Sequence, residues 1–203
     1  MWLIVNFFLK LLIFISLSVF SYSDDYDNNF YNNHGHVGLI NIPTARFFDE
    51  EVHGVTIYDG TPDQKITLTS NPYNWLEASF FYTNIQGRPY PGFEYQDYKD
   101  KGFNVKFKLK KEGYLPAIAI GLNDFAGTGL YNSEYIVSSY GVNNIDFHFG
   151  IGWGELSGDY NFKNPLIYIS DRFNNRPGFS GGEGGSLNLN QYFSGNKAAP
   201  FYG

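Results

Sequence analysis

The sequence predicts an all-β protein: an antiparallel up-and-down meander forming a curved sheet or part of a barrel able to cross a membrane. Three observations carry this. First, Ile145–Gly154 places Ile145, Phe147, Phe149, Ile151 and Trp153 at odd positions and Asp146, His148, Gly150, Gly152 and Gly154 at even ones. Side chains alternate faces along a strand, so one face is large and apolar and the other small and polar. A soluble sandwich alternates too, but rarely with so glycine-rich a polar face, and about ten residues suffice for a tilted strand to cross a bilayer. Second, the 203 residues include 17 Tyr, 20 Phe and 23 Gly, the bias of all-β proteins and of barrels with aromatic girdles. Third, the pattern recurs. Phe103, Val105, Phe107 and Leu109 alternate with Asn104, Lys106, Lys108 and Lys110.

The elements follow in order. Residues 1–23 read as a signal peptide, an apolar helix from Trp2 to Phe20 followed by Ser21-Tyr22-Ser23, with a retained anchor as the alternative. Residues 24–34 read as a flexible acidic leader, and 35–203 as the partial barrel domain. Gly35–Arg46 is an extended segment stopped by Pro43, which cannot donate to a ladder. His53–Tyr58 and Lys65–Ser70 flank the turn cluster Asp59–Asp63, and Asn71-Pro72 turns the chain again. In Trp75–Ile85, Leu76, Ala78, Phe80 and Tyr82 share a face opposite Glu77, Ser79 and Thr83, with Phe81 as an exception. Gln86–Lys101 reads as a long loop, as one side of a barrel carries. Phe103–Lys110 and Ala117–Asn123 form a hairpin, and Tyr135–Tyr140 leads through Gly141–Asn144 into Ile145–Gly154. Seven or eight strands are expected. Glu155–Tyr202 then reads as a long C-terminal loop region in which Pro165–Ser170 is a short strand.

The chemistry is sparse. With 14 Lys+Arg against 20 Asp+Glu, net charge -6, no nucleic-acid partner is expected. The absence of cysteine excludes disulfides, thiol catalysis, cysteine metal sites and a lipidated cysteine within these residues. His34 and His36 could place two imidazoles on one side of an extended chain, but no third ligand is evident, so no metal or cofactor is expected. No G-x-S-x-G elbow, P-loop or H-E-x-x-H occurs, and Asp146 and His148 read as polar residues facing a lumen. One electrostatic feature stands out: Lys106, Lys108 and Lys110 project from one face, joined nearby by Lys99, Lys101 and Lys111. Inside a barrel they could attract an acidic polymer and steer it along the wall. Other classes remain open: a secreted aromatic-rich glycan-binding β module, and a polysaccharide-modifying enzyme that needs an acidic pair.

An ordered set of segments resembles the YjbH-type family. They are G-L-I-N-I-P-T-A-R (Gly38–Arg46), the strand around Trp75–Tyr82, K-G-F-N-V-K-F (Lys101–Phe107) and P-A-I-A-I-G-L-N-D (Pro116–Asp124). F-G-I-G-W-G (Phe149–Gly154), N-P-L (Asn164–Leu166) with Arg172 and Arg176, and Tyr192–Gly203 complete the set. The resemblance implies an outer-membrane β-barrel of Gram-negative bacteria that assists exopolysaccharide or capsule production or export without catalysis. The partners it implies are outer-membrane lipid, exopolysaccharide, other export proteins and a second chain completing the barrel. It assigns no catalytic positions. Members of that family can carry a lipoprotein-type leader, whereas these residues offer no cysteine to lipidate; members are also several times longer, so the chain reads as the N-terminal portion of such a protein, truncated, split or reduced.

Overall fold

The structure, a computed structural model, describes residues 29–90, 92–178 and 189–203. The expected signal peptide, residues 24–28 of the expected leader and the glycine patch at 181–185 lie outside the described residues.

A short hairpin of β1 (Gly38–Leu39) and β2 (Ile42–Pro43) opens the fold. The main sheet follows as a meander: β3 (Val52–Asp59), β4 (Asp63–Tyr73), β5 (Leu76–Tyr90), β6 (Phe93–Lys110), β7 (Ala117–Phe125), β8 (Ser133–Val142) and β9 (Ile145–Gly154). Each pairs antiparallel with its successor. β11 (Lys197–Tyr202) pairs with β9, and β10 (Phe162–Lys163) pairs with β11. Among the described residues the sheet therefore has nine strands, and its two edges, β3 and β10, are not joined to each other. Among the described residues no helix is long and apolar enough to cross a membrane, which says nothing of strands.

The alternation read from the sequence sorts the two faces, and Phe81 is indeed on the inner one, 2 % exposed. Four local expectations need correction. Gln86–Lys101 is no loop: β5 and β6 continue into it as a long hairpin, with register irregularities around Pro89. Asn71-Pro72 does not turn the chain but falls within β4 at an irregularity between Ser70 and Tyr73, as a strand accommodates proline. Pro165–Tyr168 is a 3₁₀ turn rather than a strand, because the Asn164 side chain accepts the Leu166 N–H and Pro165 fits a first helical position. The C-terminal region is not all loop either: it contains β11, which extends the sheet beyond β9.

Residues 29–34 are part of the fold rather than a leader. The Asn32 side chain closes a turn by accepting the His34 and His36 N–H groups at 2.9 and 3.0 Å. Tyr31 lies flat on Gly54, where a Cβ would come within 2.2 Å of its ring. From there residues 29–47 run as a strap across the inner face. Ala45 and Phe47 join Ala117, Ala119, Tyr135 and Val137 in an apolar cluster of that face, with Leu156 and Phe201 against it.

Candidate functional site

Beneath the strap the inner face is polar. Glu77 and Lys106 stand directly opposite on β5 and β6 and are 1 % and 0 % exposed. Lys106 Nζ lies 3.1 Å from Glu77 Oε1 and donates to the carbonyls of Val37 and Arg46 at 3.1 and 2.9 Å. Both Glu77 oxygens accept the Val37 N–H at 3.3 Å, and His36 Nδ1 is 3.6 Å from Oε1. Each buried charge thus has a counter-charge and strap backbone as partners, which buried ions require. Further along, the Ser139 hydroxyl accepts the Ala45 N–H at 2.8 Å and meets His148 Nδ1 at 2.7 Å. Arg46 forks onto Asp146 at 2.7 and 2.6 Å and reaches Glu112 at 2.5 Å.

The lysine stripe expected from the sequence therefore needs correction. Lys106, Lys108 and Lys110 do share the inner face, but they are not a row of free charges. Lys106 is sealed under the strap. Lys108 is half-buried with its ammonium 4.7 Å over the Phe47 ring, and Lys110 is partly exposed at the strand end. The cause is Glu77, a cross-strand neighbour that spacing along β6 cannot reveal. Strand parity also removes Lys99 and Lys101 from the group, since both point to the outer face.

Ser139, His148 and Asp146 touch in sequence, His148 Nε2 lying 3.6 Å from Asp146 Oδ2. However, Ser139 is 1 % exposed beneath the strap, its oxygen already holds a backbone N–H, and Asp146 is engaged by Arg46. The contacts fasten the strap to the wall. Among strap residues, burial and then the Lys65 charge and His36 lower the His34 pKa from 6.5 to about 3. Burial likewise lowers His36, against the pull of Glu77.

The outer face is the opposite. Cross-strand rows of large apolar side chains stand in solvent, among them Val55, Leu68, Phe103, Phe147 and Phe149, each more than half exposed. On the side with the short β4–β5 and β6–β7 turns the band ends in aromatics. Tyr73 stacks on Trp75 at 5.4 Å, Trp75 on Phe107 at 6.2 Å, and Tyr114 is 80 % exposed. On the other side it ends in a polar row over four strands: Asp59 opposite Gln64, Gln64 opposite Asn84, Asn84 opposite Lys99. Gln64 donates to Asp59 at 2.9 Å and Asn84 to Gln64 at 3.4 Å.

Trp153 does not end at an interface, as its place on the apolar face would suggest. It is 3 % exposed, packs edge-on against Phe193 at 5.2 Å and donates to Asn164 at 2.8 Å. Asn164, fully buried, also donates to the carbonyls of Phe193 and Gly195 at 2.9 and 2.8 Å. Beside it Arg176 holds the buried Glu134 at 2.7 Å and contacts Asn132. Asn164, Arg176 and residues 193–195 thus cap the outer end of β8 and β9. Only the two arginines and N-P-L hinted at this latch in the sequence; Glu134 sits at a face position where an apolar residue is the norm.

A family model described as exopolysaccharide biosynthesis protein YbjH matches residues 30–203. The chain is 37% identical over 166 residues to a protein of Escherichia coli (strain K12) described as an uncharacterized lipoprotein, YjbH; the match covers 79% of this chain and 24% of that one. The chain thus spans about a quarter of the length of this curated relative. No solved structure matches the chain.

Proposed function

The chain belongs to the YjbH family of exopolysaccharide biosynthesis proteins, and from that premise we propose that it forms part of the wall of an outer-membrane β-barrel that assists exopolysaccharide or capsule export without catalysing a reaction. The outer face carries this reading. A soluble sheet buries its large apolar side chains and exposes its charges. Here Glu77, Lys106, Asp100 and Glu134 are buried while Phe147, Phe149, Leu68 and Ile57 are exposed. In water that order is unfavourable over a whole sheet face. Against hydrocarbon it is the favourable one, because lipid-facing positions are apolar and the polar groups find partners inside. The aromatic border and the hydrogen-bonded polar row suit the two edges of such a band.

An open sheet leaves unpaired N–H and C=O groups at β3, which hydrocarbon does not tolerate. The edges are therefore closed by further strands of the same protein, by a second chain or by another copy. With Lys106 committed to Glu77, Lys108 and Lys110 are the inner-face lysines left to meet an acidic exopolysaccharide, alongside other export proteins. The decisive experiment is fractionation of cells producing the chain. Recovery with the outer membrane, released only by detergent, together with less secreted polymer when the gene is deleted, is the expected result. Recovery in the soluble periplasm without detergent would sink the barrel wall and favour a secreted glycan-binding module.

A further inference from the structure

Lys99 and Lys101 lie on the outer face of β6, one alternation apart, and continue directly into Phe103 and Val105 on the same face. Both lysines are exposed, and neither forms an ion pair among the described residues. They stand at the polar border, opposite Asn84 and Tyr82. Immediately inside the border, Phe80 and Phe103 pack at 5.4 Å, and with Leu68, Phe125, Ala78 and Val105 they line an apolar groove of about 370 Å³. Its floor is low because Ala78 presents only a methyl group between larger neighbours. The groove has almost no polar lining, so it offers nothing to the backbone of a peptide or to the hydroxyls of a sugar. Two cations at one end of an apolar furrow, at the edge of an apolar band, match one ligand chemistry.

We propose that Lys99 and Lys101, with the Phe80–Phe103–Phe125 groove, bind a phosphate-bearing acyl lipid, phosphate on the two ammonium groups and one acyl chain in the groove. The inference rests on the membrane reading above and names a specific lipid contact within it. Charge complementarity selects the anionic headgroup, and continuity between groove and band selects the hydrocarbon tail. The hairpin, the β7–β8 connection and the C-terminal latch lie on the same side of the sheet as these lysines. Longer connections mark the external side of such barrels, so the bound lipid belongs to the external leaflet.

The test reconstitutes the full chain into bilayer discs of phosphatidylcholine with a minor fraction of phosphatidic acid. Insertion is read by flotation, and co-purifying lipid by native mass spectrometry after mild detergent extraction. The wild type is expected to retain phosphatidic acid in excess of its bilayer fraction. Each basic side chain at an anionic surface is worth a factor of about five, so Lys99→Gln with Lys101→Gln should lower the enrichment about 25-fold. Ala78→Leu, which fills the groove floor and leaves the charges, should shorten lipid retention as well. Flotation with an enrichment unchanged by the lysine variant overturns this site and leaves the membrane reading standing. Failure to float overturns both. Displacement of the lipid by inorganic phosphate alone, or by an acidic polysaccharide at equal charge, also overturns the proposal, because the acyl groove would then contribute nothing.

Discussion

Glu77 and Lys106 place a full ion pair where water does not reach, and their removal should reveal how it is held. Replacing Lys106 by Met leaves the Glu77 carboxylate with the Val37 N–H and a neutral His36, takes a donor from the Arg46 carbonyl and leaves the Val37 carbonyl with Thr44 alone. Stranding one partner of a buried pair costs about 3–5 kcal/mol. Lys106→Met combined with Glu77→Leu should recover much of that loss, since both charges then disappear together. A double-mutant cycle of denaturant unfolding in detergent measures the coupling; additive effects would show that the two charges act separately. Small residues matter by a different route. A Cβ on Gly121 would come within 2.1 Å of the buried Tyr135 ring, and one on Gly150 within 2.2 Å of Phe201. These two glycines of the inner face, readable from the sequence only as smallness, are seats for aromatic rings.

The strap and the C-terminal latch are the elements that the meander alone does not explain. Both are fastened by side chains of the wall gripping backbone groups, so both are sensitive to charge. His34 has a folded pKa near 3 against 6.5 when solvated. A depressed folded value means that protons favour the detached strap: the stability is present above about pH 6.5 and is lost as the pH falls toward 3. His36, lowered by burial, acts in the same direction. A spin label on Asn41→Cys, the sole thiol in the chain, should therefore become mobile as the pH falls across that window, and His34→Gln should shift the onset. Mobility independent of pH would mean that the histidines do not report strap attachment. At the latch, Asn164→Leu removes the acceptor of Trp153 and the donor to Phe193 and Gly195. Buried polar groups left unpaired cost about 1–3 kcal/mol each. Limited proteolysis should then cut within 164–178 while the β4–β8 sheet stays protected.

At the scale of the molecule the question is what the apolar face meets. Phe149 stands mid-strand on that face, 55 % exposed. In a bilayer Phe149→Lys places a charge near the hydrocarbon centre and should cost about 2–4 kcal/mol, seen as weaker insertion into vesicles and a lower refolding midpoint. On a water-exposed sheet the same change would be neutral or would raise solubility. A soluble, fully folded Phe149→Lys chain would therefore exclude lipid as the partner of this face. The open edges have their own consequence. If further strands complete the proposed wall, the β3 amides that point away from β4 should be protected from exchange only when those strands or another copy are present.

By itself the sequence determined the central alternating strands and which of their residues share a face, because alternation is a local property; it missed the β5–β6 extension and β11, where proline, glycine and polar residues break that pattern. Phe103–Lys110 and Ile145–Gly154 are read correctly for that reason, as is the family, whose motifs are linear. It also placed Phe81 on the inner face as an exception. The tertiary structure decided which neighbours the faces acquire. Glu77 reaches Lys106 only through the β5–β6 register, Trp153 is covered only because Asn164 and Phe193 return to it, and the leader becomes a strap because Tyr31 finds Gly54. Charge, exposure and role follow from such partners, distant in the chain and close in space. Hence the sequence could count six lysines in one region, whereas the fold assigned one to a buried pair, left others on the inner face and set Lys99 and Lys101 at the border of the apolar band.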